Sequence, residues 1–362
     1  MSSQRPSPVV ALDVMGGDDG ASTMIAGAAI ARDRYPAIRF RLFGDQAAIA
    51  EQLSRAPALE RVSMVVHTSE VVLGTDKPSH AVRHGRTSSM GLAIAAVKAG
   101  EADVAVSAGN TGALMAMSKV MLRTQPGIDR PALAALLPNS RSESVMLDLG
   151  ANVDCTAENL VQFAVMGAAF ARIALGLKTP RVALLNVGEE ELKGTEELRE
   201  AAAILRAADL PMRFDGFIEG DKLVRGDVDV IVTDGFTGNI ALKTAEGTAK
   251  LVTQLVGQAF RSSWMSKLGY LLSANAFRSL KSHVDANNHN GAVFLGLNGL
   301  IVKSHGGANA KGVANAIGVA HDLAVDGIGN RIARDLDAVR ARRAAQVAAV
   351  TPVIVPPGAR AA

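Results

Sequence analysis

One cysteine, Cys155, occurs in 362 residues. That excludes an intramolecular disulfide and a zinc site built from several thiolates. Aromatic residues make up 4% of the chain against 48% hydrophobic residues overall, so any core must be mainly aliphatic. No uninterrupted apolar run reaches the roughly 18 residues that a membrane-spanning helix needs. Residues 1–8 contain one arginine and no apolar segment, unlike a secretory signal. Neither sign of charge dominates: 38 Lys and Arg stand against 35 Asp and Glu, and the basic residues form no long run. Composition therefore does not point to a nucleic-acid partner, although the slight positive balance suits anionic ligands. The expectation is a soluble, cytoplasmic protein.

Glycine, by contrast, is plentiful at 35 residues, many of them beside Asp, Asn or Ser. Short apolar runs alternate with helical patterns along nearly the whole chain. Strands are predicted at residues 9–12, 39–43, 62–66, 104–107, 132–136, 145–149, 182–185 and 228–232. Helices are predicted at 22–34, 88–99, 111–122, 158–175, 195–208, 238–256 and 310–325. Residues 294–297 and 300–302 read as a hairpin about Asn298-Gly299. Such alternation predicts an α/β fold with a mostly parallel sheet and helices on both faces, in which ligands bind beyond the carboxyl ends of the strands. The expected organisation is a flexible segment at 1–8, one two-lobed α/β catalytic domain at 9–338, and a loose extension at 339–362.

The candidate chemistry lies where strands give way to helices. Asp13-Val14-Met15-Gly16-Gly17-Asp18 is either a tight turn with a capping acid or a place where Asp13, Gly16 and Gly17 approach an anion. Lys77-Pro78-Ser79-His80-Ala81-Val82-Arg83 leads into Arg86-Thr87-Ser88-Ser89. Cations and hydroxyls at a helix start make a phosphate site, against simple serine capping with solvated arginines; the apolar stretch that follows favours the former. Ser107-Ala108-Gly109-Asn110-Thr111-Gly112 offers similar donors but lacks a P-loop lysine and the dinucleotide glycine spacing. Asp148-Leu149-Gly150-Ala151-Asn152-Val153-Asp154-Cys155 groups polar acceptors, with no histidine to complete a metal set and no base beside the cysteine. In Asn186-Val187-Gly188-Glu189-Glu190-Glu191-Leu192-Lys193-Gly194-Thr195, Lys193 could neutralise phosphate or polarise a carbonyl, while the acids read as a solvated face. In Asp234-Gly235-Phe236-Thr237-Gly238-Asn239, the Asn239 amide could donate to an oxyanion. His305, in Lys303-Ser304-His305-Gly306-Gly307, is either an acid–base group or structural.

In their order these strings resemble the bacterial acyl-carrier-protein:phosphate acyltransferases, the PlsX family of phospholipid synthesis. The likeness is carried by Asp13 to Asp18, Ser88-Ser89-Met90, Ser107-Ala108-Gly109-Asn110-Thr111-Gly112-Ala113-Leu114, Leu149-Gly150-Ala151-Asn152-Val153-Asp154, Lys193-Gly194-Thr195-Glu196, Thr233-Asp234-Gly235-Phe236-Thr237-Gly238-Asn239 and Leu295-Gly296-Leu297-Asn298-Gly299. The resemblance implies a three-layer α/β/α fold like those of isocitrate and isopropylmalate dehydrogenases and phosphotransacetylases, and a homodimer. It implies transfer of a long-chain acyl group from acyl carrier protein to inorganic phosphate, giving an acyl-phosphate for a glycerol-3-phosphate acyltransferase. Lys193 and Asn239 match positions associated with catalysis. Where the family often has Asp-Pro and then Tyr-Gly-Gly-Ala, this chain has Asp285-Ala286-Asn287-Asn288-His289-Asn290-Gly291-Ala292, so no role passes to His289.

Phosphate is itself a nucleophile, so this reaction calls for no metal, cofactor or acyl-enzyme. It calls for groups that hold a dianion and stabilise a tetrahedral oxyanion. Arg86, Ser88, Ser89, Asn110 and Thr111 are the expected phosphate holders, Asp13, Gly16, Gly17, Asn152, Asp234 and His305 further substrate contacts, and Lys193 and Asn239 the catalytic pair. A short-chain phosphotransacetylase acting on acyl-coenzyme A is the alternative. At 250–282, Phe260, Trp264, Leu268 and Leu272 recur at four-residue steps among basic residues. This amphipathic hairpin reads either as a surface lying on an anionic membrane or as a dimer-interface or core helix pair; the resemblance favours peripheral attachment to the inner face of the cell membrane.

Overall fold

The computed structural model describes residues 7–283 and 285–350. Most of the expected flexible N-terminal segment, at 1–6, and half of the expected extension, at 351–362, lie outside the described residues. The first half of the chain runs β1 (Val9–Asp13), α1 (Ala21–Arg34), β2 (Arg39–Gly44), α2 (Gln46–Leu53), α3 (Pro57–Glu60), β3 (Ser63–His67), α4 (Pro78–His84), α5 (Ser89–Lys98), β4 (Val104–Ser107), α6 (Thr111–Leu122), β5 (Ala132–Pro138) and β6 (Glu143–Leu147). The second half runs α7 (Ala157–Ala174), β7 (Arg181–Leu185), α8 (Glu196–Ala207), β8 (Arg213–Ile218), β9 (Val230–Val232), α9 (Gly235–Arg261), α10 (Trp264–Leu272), α11 (Ala274–His283), β10 (Ala292–Leu295), β11 (Leu300–Lys303), α12 (Ala310–Val325) and α13 (Ile328–Val350).

All strands join one 11-stranded sheet, in the order β3-β2-β1-β4-β11-β10-β5-β6-β9-β7-β8. The ladders of β10 with β11, β10 with β5 and β5 with β6 are antiparallel, and the rest are parallel. Strand direction therefore reverses in the middle. β1, β2, β3, β4, β11 and β5 run one way, and β10, β6, β9, β7 and β8 run the other. The loops that leave the carboxyl ends of β1, β4 and β11 open on one edge of the sheet, and those that leave β6, β7 and β9 open on the opposite edge.

Helices cover both faces, which is why the central strands are almost continuously apolar. One core lies between the sheet and α1, α7, α8, α12 and α13; the other lies under α5, α6 and the start of α9. α1 and α12 approach closely because Gly27 lacks a side chain: a Cβ there would stand 2.5 Å from Val313 Cβ and 2.9 Å from the Ala310 carbonyl oxygen. Ile328, Ile332, Leu336 and Val339 of α13 are buried, and Arg172 of α7 pairs with Asp335. The helix is thus part of the core at its start and continues to Val350, so a domain limit at 338 falls inside it.

Four elements have no counterpart in the sequence-based expectation. α2 is short and opened by Asp45, whose side chain accepts from the Ala48 amide. α3 is a single turn with proline at its start. α4 presents charge outward and has little apolar face. β8 is an edge strand interrupted by an irregular register and by Gly216 at φ 91°.

Two glycines in helices should respond oppositely to alanine. Gly27→Ala forces α1 from α12 and should cost about 1–3 kcal/mol, as overpacking does. Gly247→Ala, on α9 with nothing within 4 Å of the new Cβ, should stabilise by roughly 0.5–1 kcal/mol. Urea unfolding of both variants checks this; equal shifts would contradict the helix packing described.

Candidate functional site

On the first edge, β1, β4 and β11 end level with one another: Asp13 pairs with Ser107, and Ser107 with Lys303. The Ser107 hydroxyl donates to Asp13 Oδ2 at 2.7 Å and accepts from the Gly109 amide at 3.1 Å. Lys303 Nζ donates to the carbonyls of Ala108, at 3.2 Å, and Ser304. Burial pushes the Asp13 carboxyl up from its ordinary value and pushes Lys303 down to about 8, with the charges of Asp13 and Asp18 opposing the latter. Asp13 Oδ1 and the Ser89 hydroxyl are buried without a hydrogen-bond partner among the described residues; Ser89 lies beside Asp13 and pulls its pKa down.

Glycines let these three loops interlock. A Cβ on Gly16 would meet the Gly109 amide at 2.8 Å, and Gly17, at φ 90°, faces Ala108 and the Gly306 carbonyl. The Asp18 amide donates to that same carbonyl. His305 is fixed by its own amide, which donates to Asn290 Oδ1, and by the Gly307 amide, which donates to its Nδ1. Burial lowers the His305 pKa, and Lys303 adds to the effect. Asn290 also donates to the Ser304 hydroxyl, so the divergent 285–292 stretch has a structural use.

On the second edge the organising group is Asp148. Its carboxylate accepts from the amides of Leu133, Gly150, Ala151 and Asn152 and from Asn152 Nδ2. Burial raises its pKa, and these bonds pull it down. The first turn of α9 lies directly against this loop. A Cβ would stand 2.6 Å from the Asn152 carbonyl oxygen at Gly235 and 1.9 Å from the Asp148 carbonyl oxygen at Gly238. Both glycines of the Asp234-Gly235-Phe236-Thr237-Gly238-Asn239 string are thus required by close approach. Asp234 caps the helix through Thr237, and Asn239 Nδ2 donates one hydrogen to the Leu149 carbonyl at 3.2 Å, its other amide hydrogen having no partner among the described residues.

The loop after β7 carries Lys193. Asn186 Nδ2 donates to the Lys193 carbonyl, and Gly194, at φ 83°, packs against Asn186. The acids beside it are largely neutralised: Glu189 pairs with Lys222 at 2.8 Å and Glu191 with Arg206 at 3.3 Å. Lys193 is exposed and has no ion pair among the described residues. Nearby, burial and the charges of Asp148 and Asp234 push the Cys155 thiol up to about 12.

α9 links the edges. It starts beside Asp148, and further along it Lys243, Glu246 and Lys250 lie near enough for their charges to act on His305. Its far end folds into α10 and α11, where Phe260, Tyr270 and Phe277 form an aromatic cluster. Phe260, expected among the outward contacts, is instead inside this cluster. Trp264, Leu268 and Leu272 are exposed, at 73%, 47% and 82% of their surface.

The expected phosphate holders separate by burial. Arg86 and Thr111 are exposed on the first edge. Asn110 caps α6, accepting from Ala113 and donating to the carbonyls of Gly74 and Asp76. Ser88 is a buried cap of α5, donating to Gly85 and accepting from Gly91, and Ser89 is buried beside it. Asp13 and Asn152 are likewise interior and committed to loop building. Ser88, Asp13 Oδ2 and Asn152 Nδ2 therefore bind the loops from within, while Asp13 Oδ1 and the Ser89 hydroxyl are buried without a partner among the described residues. Lys303 and Asp148 were not among the expected site residues. A lysine closing an apolar strand was the available signal for the first, and an acid closing one was the signal for the second.

Comparison with known proteins agrees with this architecture. The fatty acid synthesis protein family matches residues 9–331. The chain is 58% identical over 331 residues to a phosphate acyltransferase of Erythrobacter litoralis, covering 91% of this chain and 93% of that one. It is 59% identical over 329 residues to a phosphate acyltransferase of Parvibaculum lavamentivorans, covering 91% of each. Among solved structures, the EutD phosphotransacetylase from Staphylococcus aureus superposes with a TM-score of 0.58 at 16% identity, covering 88% of this chain and 94% of that one. A phosphotransacetylase from Streptococcus pyogenes does so with a TM-score of 0.58 at 19% identity over the same shares. These two likenesses are of fold: the three-layer α/β architecture is shared.

Lys303 makes stability depend on pH in a stated direction. Between its folded value of about 8 and its ordinary value near 10.5, the unfolded chain binds the proton and the folded chain does not. Stability attributable to this group must then rise with pH across that window, by up to ~1.4 kcal/mol per unit. Urea unfolding of the native chain and of Lys303→Met at pH 7, 8, 9 and 10 should show the difference moving in favour of the native chain. A difference that stays constant with pH would refute the buried ammonium.

Proposed function

Because this chain belongs to the fatty acid synthesis protein family, as an acyltransferase of the phosphate acyltransferase class, we propose that it transfers a long-chain acyl group from acyl carrier protein to inorganic phosphate and releases an acyl-phosphate. A glycerol-3-phosphate acyltransferase would consume that product. The observation that carries this reading is on the second edge. An uncommitted cation, Lys193, and an uncommitted amide hydrogen, on Asn239, occupy loops held in place by Asp148, while the one thiol nearby is pushed up to about 12 and is not a nucleophile at neutral pH. Such a site suits a substrate that brings its own nucleophile.

In the proposed step a phosphate oxygen attacks the thioester carbonyl carbon. The carbonyl oxygen becomes an oxyanion stabilised by Lys193 and Asn239. The C–S bond then breaks, and the carrier thiolate leaves and takes up a proton from solvent. Arg86, Asn110 and Thr111 on the first edge, with His305 and the amides of the Gly16-Gly17 turn, are the proposed holders of an anionic part of the substrate away from the reacting carbonyl.

The chain would act as a homodimer, for which the exposed Leu251, Val252 and Leu255 of α9 supply an apolar surface. No helix among the described residues is long and apolar enough to cross a membrane. The exposed Trp264, Leu268, Leu271 and Leu272, close to Arg261 and Lys267, support peripheral attachment of α10 to the inner face of the cell membrane. A short-chain phosphotransacetylase using acyl-coenzyme A shares the fold and remains the alternative activity; an enzyme that preferred acetyl-coenzyme A to palmitoyl carrier protein would be that one.

Incubation with palmitoyl carrier protein and phosphate, trapping acyl-phosphate with hydroxylamine, should give acyl hydroxamate. Lys193→Ala and Asn239→Ala should each lower turnover ~100-fold or more, while Cys155→Ala should leave it within about threefold, since no acyl-enzyme forms. Full activity in folded Lys193→Ala, or loss of the reaction in Cys155→Ala, would overturn the mechanism. In co-sedimentation with anionic liposomes, Trp264→Glu/Leu268→Glu should stay in the supernatant; an unchanged bound fraction removes the membrane contact.

A further inference from the structure

α4 carries a basic strip that the catalytic scheme leaves without work. Lys77, His80, Arg83 and His84 are exposed, and none of them has an ion pair among the described residues. His80 and His84 lie side by side with ring centroids 4.8 Å apart. Ala81 and Val82 take the inward side of the helix, so the basic groups share the outward one. Two acids of the preceding loop form no ion pair with these groups among the described residues: Asp76 accepts from the Leu73 amide and Glu70 from the Thr87 hydroxyl. Leu73, 58% exposed, adds one apolar contact at the end of the strip.

The strip lies at the rim of the first edge. Asn110, the cap of α6, donates to the carbonyls of Gly74 and Asp76 at the entrance to α4. A Cβ on Gly112 would stand 3.0 Å from Pro78, so α4 rests on the first turn of α6. Two unpaired cations, Lys77 and Arg83, beside an exposed leucine form an interface of charge-steered type, which favours fast encounter and ready release over tight binding. A substrate carrier that must leave after each turnover needs that behaviour. A bilayer would require more apolar surface than one leucine, and a single-stranded nucleic acid would require stacking aromatics, which the strip does not have.

We propose that the outward face of α4, with Lys77, His80, Arg83, His84 and Leu73, is the docking surface for the acidic protein that carries the acyl thioester. The identity of that occupant rests on the proposed reaction. Lys77→Glu/Arg83→Glu should raise KM for palmitoyl carrier protein ~10-fold or more and leave kcat within about twofold. It should not alter either constant for palmitoyl-pantetheine, which has the thioester without the protein. Direct binding of holo-carrier protein, read by fluorescence anisotropy, should weaken in parallel and fall with added salt. Lys77→Arg/Arg83→Lys should restore it. Arg61→Glu/Lys98→Glu, with the same charge change near the opposite edge, should behave as the native chain.

Unchanged carrier binding in the reversed variant would overturn the proposal. So would an equal loss with palmitoyl-pantetheine, which would place the strip in the chemistry or the fold, or a loss confined to anionic-vesicle binding, which would make it a membrane contact. Because carrier binding needs no turnover, a chain that bound the carrier through α4 but formed no acyl-phosphate would sink the proposed reaction and leave the docking surface standing.

Discussion

The interior carboxylate of Asp148 is the constraint on which the second edge depends. A buried acid is costly unless its lone pairs are filled, and here donors from β5, from the loop after β6 and from Asn152 fill them. The loop is thereby wound around one point. Its carbonyls then face outward at fixed positions, and α9 can begin only where it has no side chains to collide with them. The placement of Asn239 follows from this chain of steps. An apolar residue at 148 would leave several backbone amides without partners and release the turn against which α9 is seated.

The first edge solves the same problem with different chemistry. Asp13, Ser107 and Lys303 are strand-end neighbours in three successive strands, and their side chains tie loops that would otherwise expose backbone groups beneath the helices. Lys303 binds carbonyls where Asp148 binds amides. The two halves of the sheet run in opposite directions, yet each closes its carboxyl edge with a buried polar residue at the end of a strand and glycines in the turns beyond it.

Much of this was legible in the sequence. Apolar runs of four to six residues between helical patterns fixed the core strands within a residue or two, because strands buried on both faces admit little else. Helix starts were visible where Asn or Ser stood before an apolar period, as at Ser88, Asn110 and Asn309, whereas Asp234 opens α9 three residues before the start expected at 238 and the helix capped by Asp45 was not expected. What composition could not reveal was which polar residues face inward. Ser88 and Arg86 sit two residues apart and read as one anion-binding group, but a cap turns its hydroxyl back to its own helix while the arginine points to water. The reversal of strand direction was equally hidden, since β5 and β6 read as two buried strands whether they pair parallel or antiparallel. α4 was missed because its outward charge masks a very short inward face.

α9 has a mechanical consequence. Only Gly235 and Gly238 in its 27 residues are buried, so it is anchored at one end and otherwise borders solvent. A helix of that length spans roughly 40 Å. Turned by about 5° at its first turn, it would carry its tip through several ångströms while Asn239, one turn from the pivot, moved by well under one. The geometry is that of a long arm with a short working end. Displacements at the tip arrive at the Asp148 loop much reduced, and a slight tightening at that loop sweeps the tip far across the surface.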